Sequence, residues 1–530
     1  MPDEIVQENL VESNEGPTAK EIDPKWWTLT AVCLGTFMLL LDITIVNVAL
    51  PAIQTSLKSS FADLQWVVDA YALTLATFLL TAGSLADLLG RRKLWMVGLV
   101  VFTAASALCG AAQNPLMLEL SRALQGIGGA IMFAVSLALL ANAFHGKDRG
   151  LAFGVWGAIT GVAVAVGPIV GGALVTGLSW RYIFFVNVPI GVVAVVVTFA
   201  KVVESKNEHA KKIDWPGFIL LTVGLASLVY GLIESGSAGF GSTRVTVALV
   251  VAAVAIAAFI VVEFRSEHAM FDLSLFRLPT FTGGSIAAFG VSAGIFSVLL
   301  YLVLYLQDVL GYSALQTGLR LLVLSGGIMV VAGITGRLTS KVPIRALIGP
   351  GLALVAVGLL LMRNLSATSH WTHLIPGLII SGIGVGCINP PLASTAVGVV
   401  HPRQSGMASG INSTFRQIGI ATGIALLGTI FANRLQSAVA SGVASHGLHV
   451  PAGAIVNGLE GGSVGGLFTL VAPAQRGELG LVIQGSFTTA LNEILLVAAI
   501  VSAAAAVLSF ALIRSKDFIV SSAGATAPSH

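Results

Sequence analysis

The segment "MLLLDITIVNVALP" at residues 38–51 places one carboxylate, Asp42, in the middle of a long apolar run. Hydrophobic residues make up 55% of the 530 positions and charged residues 10%, and the mean hydropathy is +0.91. A soluble domain is about 25% charged. This chain has more apolar surface than one aqueous core can bury, so we expect lipid to surround it.

Several classes of site and protein are excluded by what the sequence lacks. Cys33, Cys109 and Cys387 all lie in apolar runs, so we interpret them as small buried residues and expect no disulfide framework and no metal site. The first 25 residues are acidic and polar, which does not fit a cleaved signal peptide. The chain has no P-loop, zinc-protease or serine-hydrolase motif. We expect no enzyme activity and no cofactor.

Fourteen apolar stretches are long enough to cross a bilayer core of about 30 Å, which takes about 20 helical residues. They are residues 27–53, 64–87, 94–112, 116–143, 151–178, 182–201, 216–235, 245–263, 281–307, 316–338, 345–363, 373–399, 406–432 and 484–513. The positive-inside rule gives their orientation. With both termini in the cytoplasm, 19 of the 28 lysines and arginines fall in inner segments, 6 in outer segments and 3 within spans. We therefore expect a multi-pass protein of the cell (inner or plasma) membrane with both ends cytoplasmic.

An internal repeat divides the chain. The segment "GSLADLLGRRK" at 83–93 resembles "GRLTSKVPIRA" at 336–346, and each follows the second span of a group. Such symmetry is typical of transporters built from two six-helix halves. Six plus six leaves two extra spans, which the segment between the halves contains. The predicted divisions are a cytoplasmic tail 1–26, a six-helix bundle 27–201, a linker 202–280 with two inserted helices, a second bundle 281–513 with an extracytoplasmic loop 433–483, and a tail 514–530.

Five motifs carry a family resemblance. "GSLADLLGRRK", "LSRALQGIGGAIM", "GVAVAVGPIVGGAL", "LDITIVNVALP" and "WRYIFFVNVPIG" occur in this chain. Together they resemble the major facilitator superfamily, in its fourteen-helix drug:proton antiporter branch. The resemblance covers nearly the whole chain and implies an all-α polytopic membrane protein with two six-helix bundles and two inserted helices.

Two of these motifs predict conformational elements. Asp87 follows span two at the inner face, and a helix N-terminus carries partial positive charge. Asp87 facing the start of span thirteen would latch the two halves, and the resemblance supports such a latch; holding topology is the alternative. The latch residues are Gly83, Asp87, Gly90, Arg91 and Arg92. The resemblance also marks an antiporter helix with Gly161, Gly167, Pro168, Gly171 and Gly172, in which small residues permit close packing and Pro168 permits a bend.

Asp42 is the main candidate for proton coupling. Inserting an ionisable side chain at the bilayer centre costs about 3 kcal/mol or more, so such a residue is first interpreted as having a function. Its depth in span one matches that of Arg122 in span four closely enough for an ion pair if the two helices touch, as the resemblance implies. Either the pair is a relay that changes with protonation, or it is purely structural. Glu234 in span seven is a further coupling candidate, and Glu493 and Arg416 reach similar depths and are expected to pair.

An aromatic-walled cavity would suit bulky amphipathic compounds. Its candidate residues are Asp69, Trp66, Tyr71, Trp156, Tyr301 and Tyr305. The predicted function is proton-coupled multidrug efflux of hydrophobic, cationic compounds by alternating access. The alternatives are a dedicated exporter of one endogenous metabolite or lipid, and a lipid-handling protein without coupling. The expected partners are a hydrophobic small molecule, protons and membrane lipids, with no nucleic acid, and we expect a monomer.

Overall fold

The computed structural model describes residues 23–518 except residues 145, 207–213, 267–268, 270, 340, 401–404, 461–463 and 470. Long helices dominate the described chain. In order they are α1 (Pro24–Leu57), α2 (Phe61–Leu89), α3 (Arg91–Gly110), α4 (Pro115–Ala143), α5 (Gly146–Gly177), α6 (Tyr182–Lys201), α7 (Trp215–Ala238), α8 (Thr243–Arg265), α9 (Pro279–Val309), α10 (Ala314–Leu338), α11 (Arg345–Leu361), α12 (Ile375–Val397), α13 (Ser405–Ser445) and α14 (Arg476–Leu512).

Thirteen of these helices in the described part of the chain are long and apolar enough to cross a membrane. The fourteenth expected span corresponds to α11, whose 17 residues lie at the low end of the required length. The chain is therefore a multi-pass, all-α membrane protein, as predicted.

Polar residues mark where several helices begin. Ser60 and Asp63 form a capping box at the start of α2, with the Ser60 amide donating to Asp63 at 2.7 Å. Asn114 accepts from the Met117 amide at 2.9 Å and precedes the N-terminal proline of α4. These caps give each span a defined start at the membrane surface.

The same pairs of helices pack in both halves of the chain. In the first six helices α2 and α3 both contact α4, and α1 contacts α5 and α6. In the last six, α10 and α11 both contact α12, and α9 contacts α13 and α14. The helix-to-helix contacts thus repeat the relation that the sequence motif indicated. The extra pair α7–α8 packs on α13 and α2, at one side of the two groups.

We call the face where α1 ends and α2 begins the outer face, following the predicted orientation. Two glutamines bridge the two six-helix groups toward this face. Gln65 of α2 donates to the Ile424 carbonyl of α13 at 3.1 Å. Gln307 of α9 donates to the Val48 carbonyl of α1 at 2.8 Å.

Glycines let α5 and α10 touch backbone to backbone on the same side of the molecule. A Cβ on Gly172 would lie 2.6 Å from the Leu315 Cα, and one on Gly318 would overlap the Pro168 carbonyl. Further toward the inner face, no described heavy atom lies within 4 Å of a Cβ position at Gly157 or Gly333. The two helices therefore meet at the outer face, whereas these inner glycines make no such close contact. The structure is closed outward.

The segment 433–483 contains more helix than we predicted. Helix α13 continues to Ser445 and α14 begins at Arg476, so both extend into the predicted loop. A helix of 41 residues is about 61 Å long, about twice the hydrocarbon thickness. The two extensions pack together, since a Cβ on Gly442 would meet Val482. They carry a short helix, Ala452–Glu460, whose Ile455, Val456 and Leu459 are buried.

We predict that Gly172→Ala destabilises the outward-closed arrangement, because its Cβ would lie 2.6 Å from a backbone atom of α10 that cannot rotate away. Overpacking of this kind costs about 1–3 kcal/mol. Hydrogen exchange of the purified protein should become faster at the outer ends of α5 and α10. Gly161→Ala on the same helix is the matched control and should change little, since its Cβ position is open. Equal effects of the two substitutions would contradict the packing explanation.

Candidate functional site

Asp42 lies at the centre of a buried polar cluster that joins four helices. Its side chain is 0% exposed and that of Arg122 is 2% exposed, and Arg122 Nη1 lies 2.6 Å from Asp42 Oδ2. Gln125 Nε2 and Asn187 Nδ2 donate to the other oxygen, Oδ1, at 2.8 and 3.1 Å. Both carboxylate oxygens are therefore bonded, and the charge of Asp42 is compensated by Arg122.

Arg122 has further partners that fix its position. Its Nε donates to the Val67 carbonyl of α2 at 3.0 Å, and Nη1 also donates to Gln125 Oε1 at 2.7 Å. The guanidinium carbon lies 4.2 Å from the centre of the Tyr71 ring, a cation–π distance. These contacts use the planar fork of donors that only arginine provides.

The predicted contact between Asp42 and Arg122 is thus present, but the sequence reasoning missed two amides in the cluster. Gln125 follows Arg122 by three residues, which places both on one helix face. Asn187 lies in the motif "WRYIFFVNVPIG" at the start of α6, and also donates to Ser106 at 3.1 Å. Both residues are polar amides inside apolar spans, and this feature of the sequence could have identified them as members of the cluster.

Asp69 has the opposite environment to Asp42. It is also 0% exposed, but neither of its oxygens has a hydrogen-bond partner in the described part of the chain. It lies one helical turn from Gln65, on the face of α2 that packs on α13. An uncompensated buried carboxylate charge costs several kcal/mol, so a bound proton or a neighbouring cation must neutralise it.

The other coupling candidate, Glu234, is half-buried on α7 and lies outside the set of residues that bond Asp42. Its neighbour Ser235 pairs with Thr429 of α13 at 3.2 Å, so this part of α7 is held against α13. The expected pair of Glu493 and Arg416 is not formed, because no described residue makes an ion pair with either of them.

The aromatic cavity candidates occupy four different places. Tyr71 belongs to the Arg122 cluster, and Trp66 is half-buried against residues that join α2, α7 and α13. Trp156 Nε1 donates to Thr36 of α1 at 3.1 Å. Tyr301 and Tyr305 are buried in α9, and their hydroxyls donate to backbone carbonyls of α13 and of the α11–α12 connection. The structure does not bring these residues into one site in this conformation.

The start of α3, which follows the inner end of α2, is tied to the end of α6. Glu204 accepts from the amides of Arg92 and Lys93 at 3.0 and 3.1 Å, and Arg92 Nη2 donates to the Phe199 carbonyl at 2.6 Å. Gly90 has φ +110°, which favours glycine, and a Cβ there would meet the Glu204 carboxylate. Sequence reasoning did not identify Glu204. The Asp87 side chain lies outside the described residues.

The described glycines of the latch and of the antiporter helix differ in how closely they pack. Cβ atoms on Gly167 and Gly171 would meet Thr44 and Ile45, so α5 packs closely on α1 at both glycines. Gly161 and Gly83 have no described heavy atom within 4 Å of their Cβ positions. Gly161 therefore makes no close helix contact here.

Comparison with known proteins gives one consistent result. The family model described as Major Facilitator Superfamily matches residues 32–424. "Multidrug resistance protein Stp" of Mycobacterium tuberculosis is 38% identical over 411 residues, which is 77% of this chain and 76% of that protein. "Puromycin resistance protein pur8" of Streptomyces alboniger is 35% identical over 478 residues, 89% of this chain and 94% of that protein.

One solved structure shows the same fold at low identity. It is a bacterial homologue of the human lysosomal transporter Spinster in an inward-facing and occupied conformation. It matches with a TM-score of 0.62 at 16% identity and covers 94% of this chain and 99% of that chain. At this identity the likeness concerns the fold alone.

We predict that Arg122→Met costs about 3–5 kcal/mol of stability, because it leaves the Asp42 charge buried without a partner. The double variant with Asp42→Asn should lose less than the sum of the single losses, with a coupling of about 0.5–3 kcal/mol. Unfolding of the purified protein in detergent measures each value. Arg320→Met is the control, since Arg320 stacks on Tyr312 at 3.6 Å and makes no ion pair among the described residues. Additive losses would show that the pair contributes nothing as a pair.

Proposed function

We propose that this chain, which belongs to the Major Facilitator Superfamily, exports hydrophobic, cationic drug-like compounds from the cell in exchange for protons. The chain is a membrane transporter and not an enzyme. Relatives named for resistance to several drugs or to puromycin support export of such compounds. The proposed location is the plasma membrane, with both termini in the cytoplasm.

Alternating access follows from the packing of the two six-helix groups. In the structure α5 and α10 meet through Gly172 and Gly318 near the outer face, whereas the Cβ positions of Gly157 and Gly333, nearer the inner face, are open. Rocking one group against the other would open the outer face and close the inner one. A compound held between the groups would then pass from the cytoplasm to the outside.

The contrast between Asp42 and Asp69 carries the proposal of proton coupling. Asp42 has its charge compensated by Arg122, whereas the buried Asp69 has no partner among the described residues. A proton and an organic cation can each neutralise Asp69, but a protonated Asp69 no longer has the negative charge that attracts the cation. Such competition for one carboxylate is a simple basis for antiport.

The other candidate residues have supporting roles in this proposal. Asp42 and Arg122 relay the change in the protonation of Asp69 to the rest of the first group. They can do so because Arg122 donates to the Val67 carbonyl, two residues before Asp69 on α2. Glu234 is a further proton-coupling group on α7. The aromatic residues would line the substrate cavity once the two six-helix groups rock against each other. These residues are Trp66, Tyr71, Trp156, Tyr301 and Tyr305.

The latch at the inner face would hold the outward-open state. Gly83, Asp87, Gly90, Arg91 and Arg92 form it in this proposal. Glu204 supports it, because its carboxylate bonds the amides at the start of α3 and so orients the short turn at Gly90. The glycines and Pro168 of the antiporter helix would form the seal at the outer face.

We predict that Asp69→Asn abolishes coupling but leaves the protein folded, because an amide fits the unpaired site without carrying a proton. Proteoliposomes with an imposed pH difference would measure transport of ethidium. With a pH difference of about two units, one coupled proton releases about 2.7 kcal/mol, which is the free energy stored in a hundredfold gradient of a cation. The unaltered protein should accumulate ethidium, and Asp69→Asn should only equilibrate it.

Glu478→Gln removes an exposed outer carboxylate and serves as the control, with accumulation expected to remain. Asp42→Asn should also lose accumulation; full coupling in that variant would discard the relay. If the unaltered protein moved lipid without any response to the pH difference, the antiport proposal itself would fail in favour of a lipid-handling role.

We predict that Asp87→Ala reduces transport by about tenfold, which corresponds to about 1.4 kcal/mol of lost latch stability. Membrane insertion should stay near normal, as measured by the amount of protein in purified membranes. Loss of insertion would instead favour the view that Asp87 and the following basic residues only fix topology. Leu89→Ala, at an exposed position beside the latch, is the control.

A further inference from the structure

A small cavity lies near the outer face, between the two six-helix groups and below the short helix Ala452–Glu460. We call it the outer pocket. Its lining includes one carboxylate, three phenyl rings and two leucines, namely Asp308, Phe61, Phe431, Phe487, Leu435 and Leu459. Phe61 begins α2 in the first group, while Asp308, Phe431 and Phe487 belong to α9, α13 and α14 in the second. Because its walls belong to both groups, the outer pocket must widen when the outer face opens.

Asp308 has no counter-charge among the described residues that line this pocket. No described residue makes a hydrogen bond or an ion pair with its side chain, and Asp308 is the one acidic residue among the described lining. It lies in a turn of π-helix, Tyr305–Val309, near the end of α9. Such turns occur frequently at functional sites because they re-aim side chains.

The phenyl rings form a continuous wall beside this carboxylate. Phe61 stacks on Phe431 with ring centres 5.7 Å apart, and Phe431 meets Phe487 edge-on at 4.9 Å. Among the described lining residues only Asp308 and Gln54 offer side-chain oxygens, which is fewer than a hard metal ion needs. Aromatic faces next to one negative charge are instead the surroundings that attract an organic cation.

We propose that the outer pocket is an exit site that binds a hydrophobic organic cation through Asp308 and the three phenyl rings. This inference rests on the proposed function, since it concerns the same cargo. Phe61 precedes Asp69 by eight residues on α2, so the outer pocket lies about 12 Å further outward than Asp69. A cation displaced from Asp69 by a proton would find a second carboxylate on its way out.

Leu459 provides the roof of the site. The short helix buries Ile455, Val456 and Leu459 against the extended parts of α13 and α14. The cargo would leave by moving this short helix, Ala452–Glu460, which would thereby act as a cover for the exit site.

The test uses chemical protection of a cysteine in the pocket wall, so it does not depend on transport. Leu435→Cys is made after Cys33, Cys109 and Cys387 are each replaced by Ala, and the purified protein in nanodiscs is treated with N-ethylmaleimide. Tetraphenylphosphonium at about ten times its dissociation constant leaves one site in about eleven empty, so labelling should slow about tenfold. Neutral triphenylphosphine oxide should not slow it.

Asp308→Asn should abolish this protection, while Asp308→Glu and the control Glu478→Gln should retain it. Equal protection in Asp308→Asn would show that tetraphenylphosphonium acts from elsewhere, and no protection in the unaltered pocket would overturn the proposal outright. Export of tetraphenylphosphonium by proteoliposomes is measured separately. Export without protection would contradict only the exit-site proposal. Protection without export would contradict the proposed function and support the binding site.

Discussion

The Asp42–Arg122 ion pair is the interaction on which the first six-helix group depends. Neither charge can be left alone between apolar helices, because an unpaired buried ion costs several kcal/mol. The pair therefore forces α1 and α4 into contact at one register. Gln125, Asn187 and the Val67 carbonyl complete the cluster, so a single polar site fixes α1, α2, α4 and α6 relative to one another. The group can then move as one body.

A carboxylate that performs this structural task is poorly suited to exchange its ligand. Releasing Asp42 would break three hydrogen bonds and leave Arg122 uncompensated. Asp69 has no such ties among the described residues, and it lies on the face of α2 that meets the other half of the protein. Whatever neutralises Asp69 therefore affects the contact between the halves directly. One acid holds four helices together, and in the proposed exchange the other responds to what binds between the groups.

Much of this architecture could be predicted from sequence, and the reasons are physical. Lipid demands long apolar helices, so the fourteen spans and their repeat are visible in the sequence itself. The depth of Asp42 and Arg122 within their spans predicted that they could meet. Depth alone does not give the direction in which a side chain points, so Arg416 and Glu493 were expected to pair and do not. Glu204 could not be identified, because its partners are backbone amides of a helix far away in the chain.

The glycines of α5 and α10 explain why the two faces of the protein must close differently. At the outer face Gly172 and Gly318 bring backbone against backbone, and no flexible side chain separates the helices. A contact of that kind is tight and all-or-none, which suits a seal against protons. Among the described glycines nearer the inner face, Gly157, Gly161, Gly333 and Gly336 have open Cβ positions, so closure there needs other contacts. The hydrogen bonds of Glu204 to Arg92 and Lys93 join α3 to the end of α6, so they stiffen one group and leave the contact between the two groups to other residues.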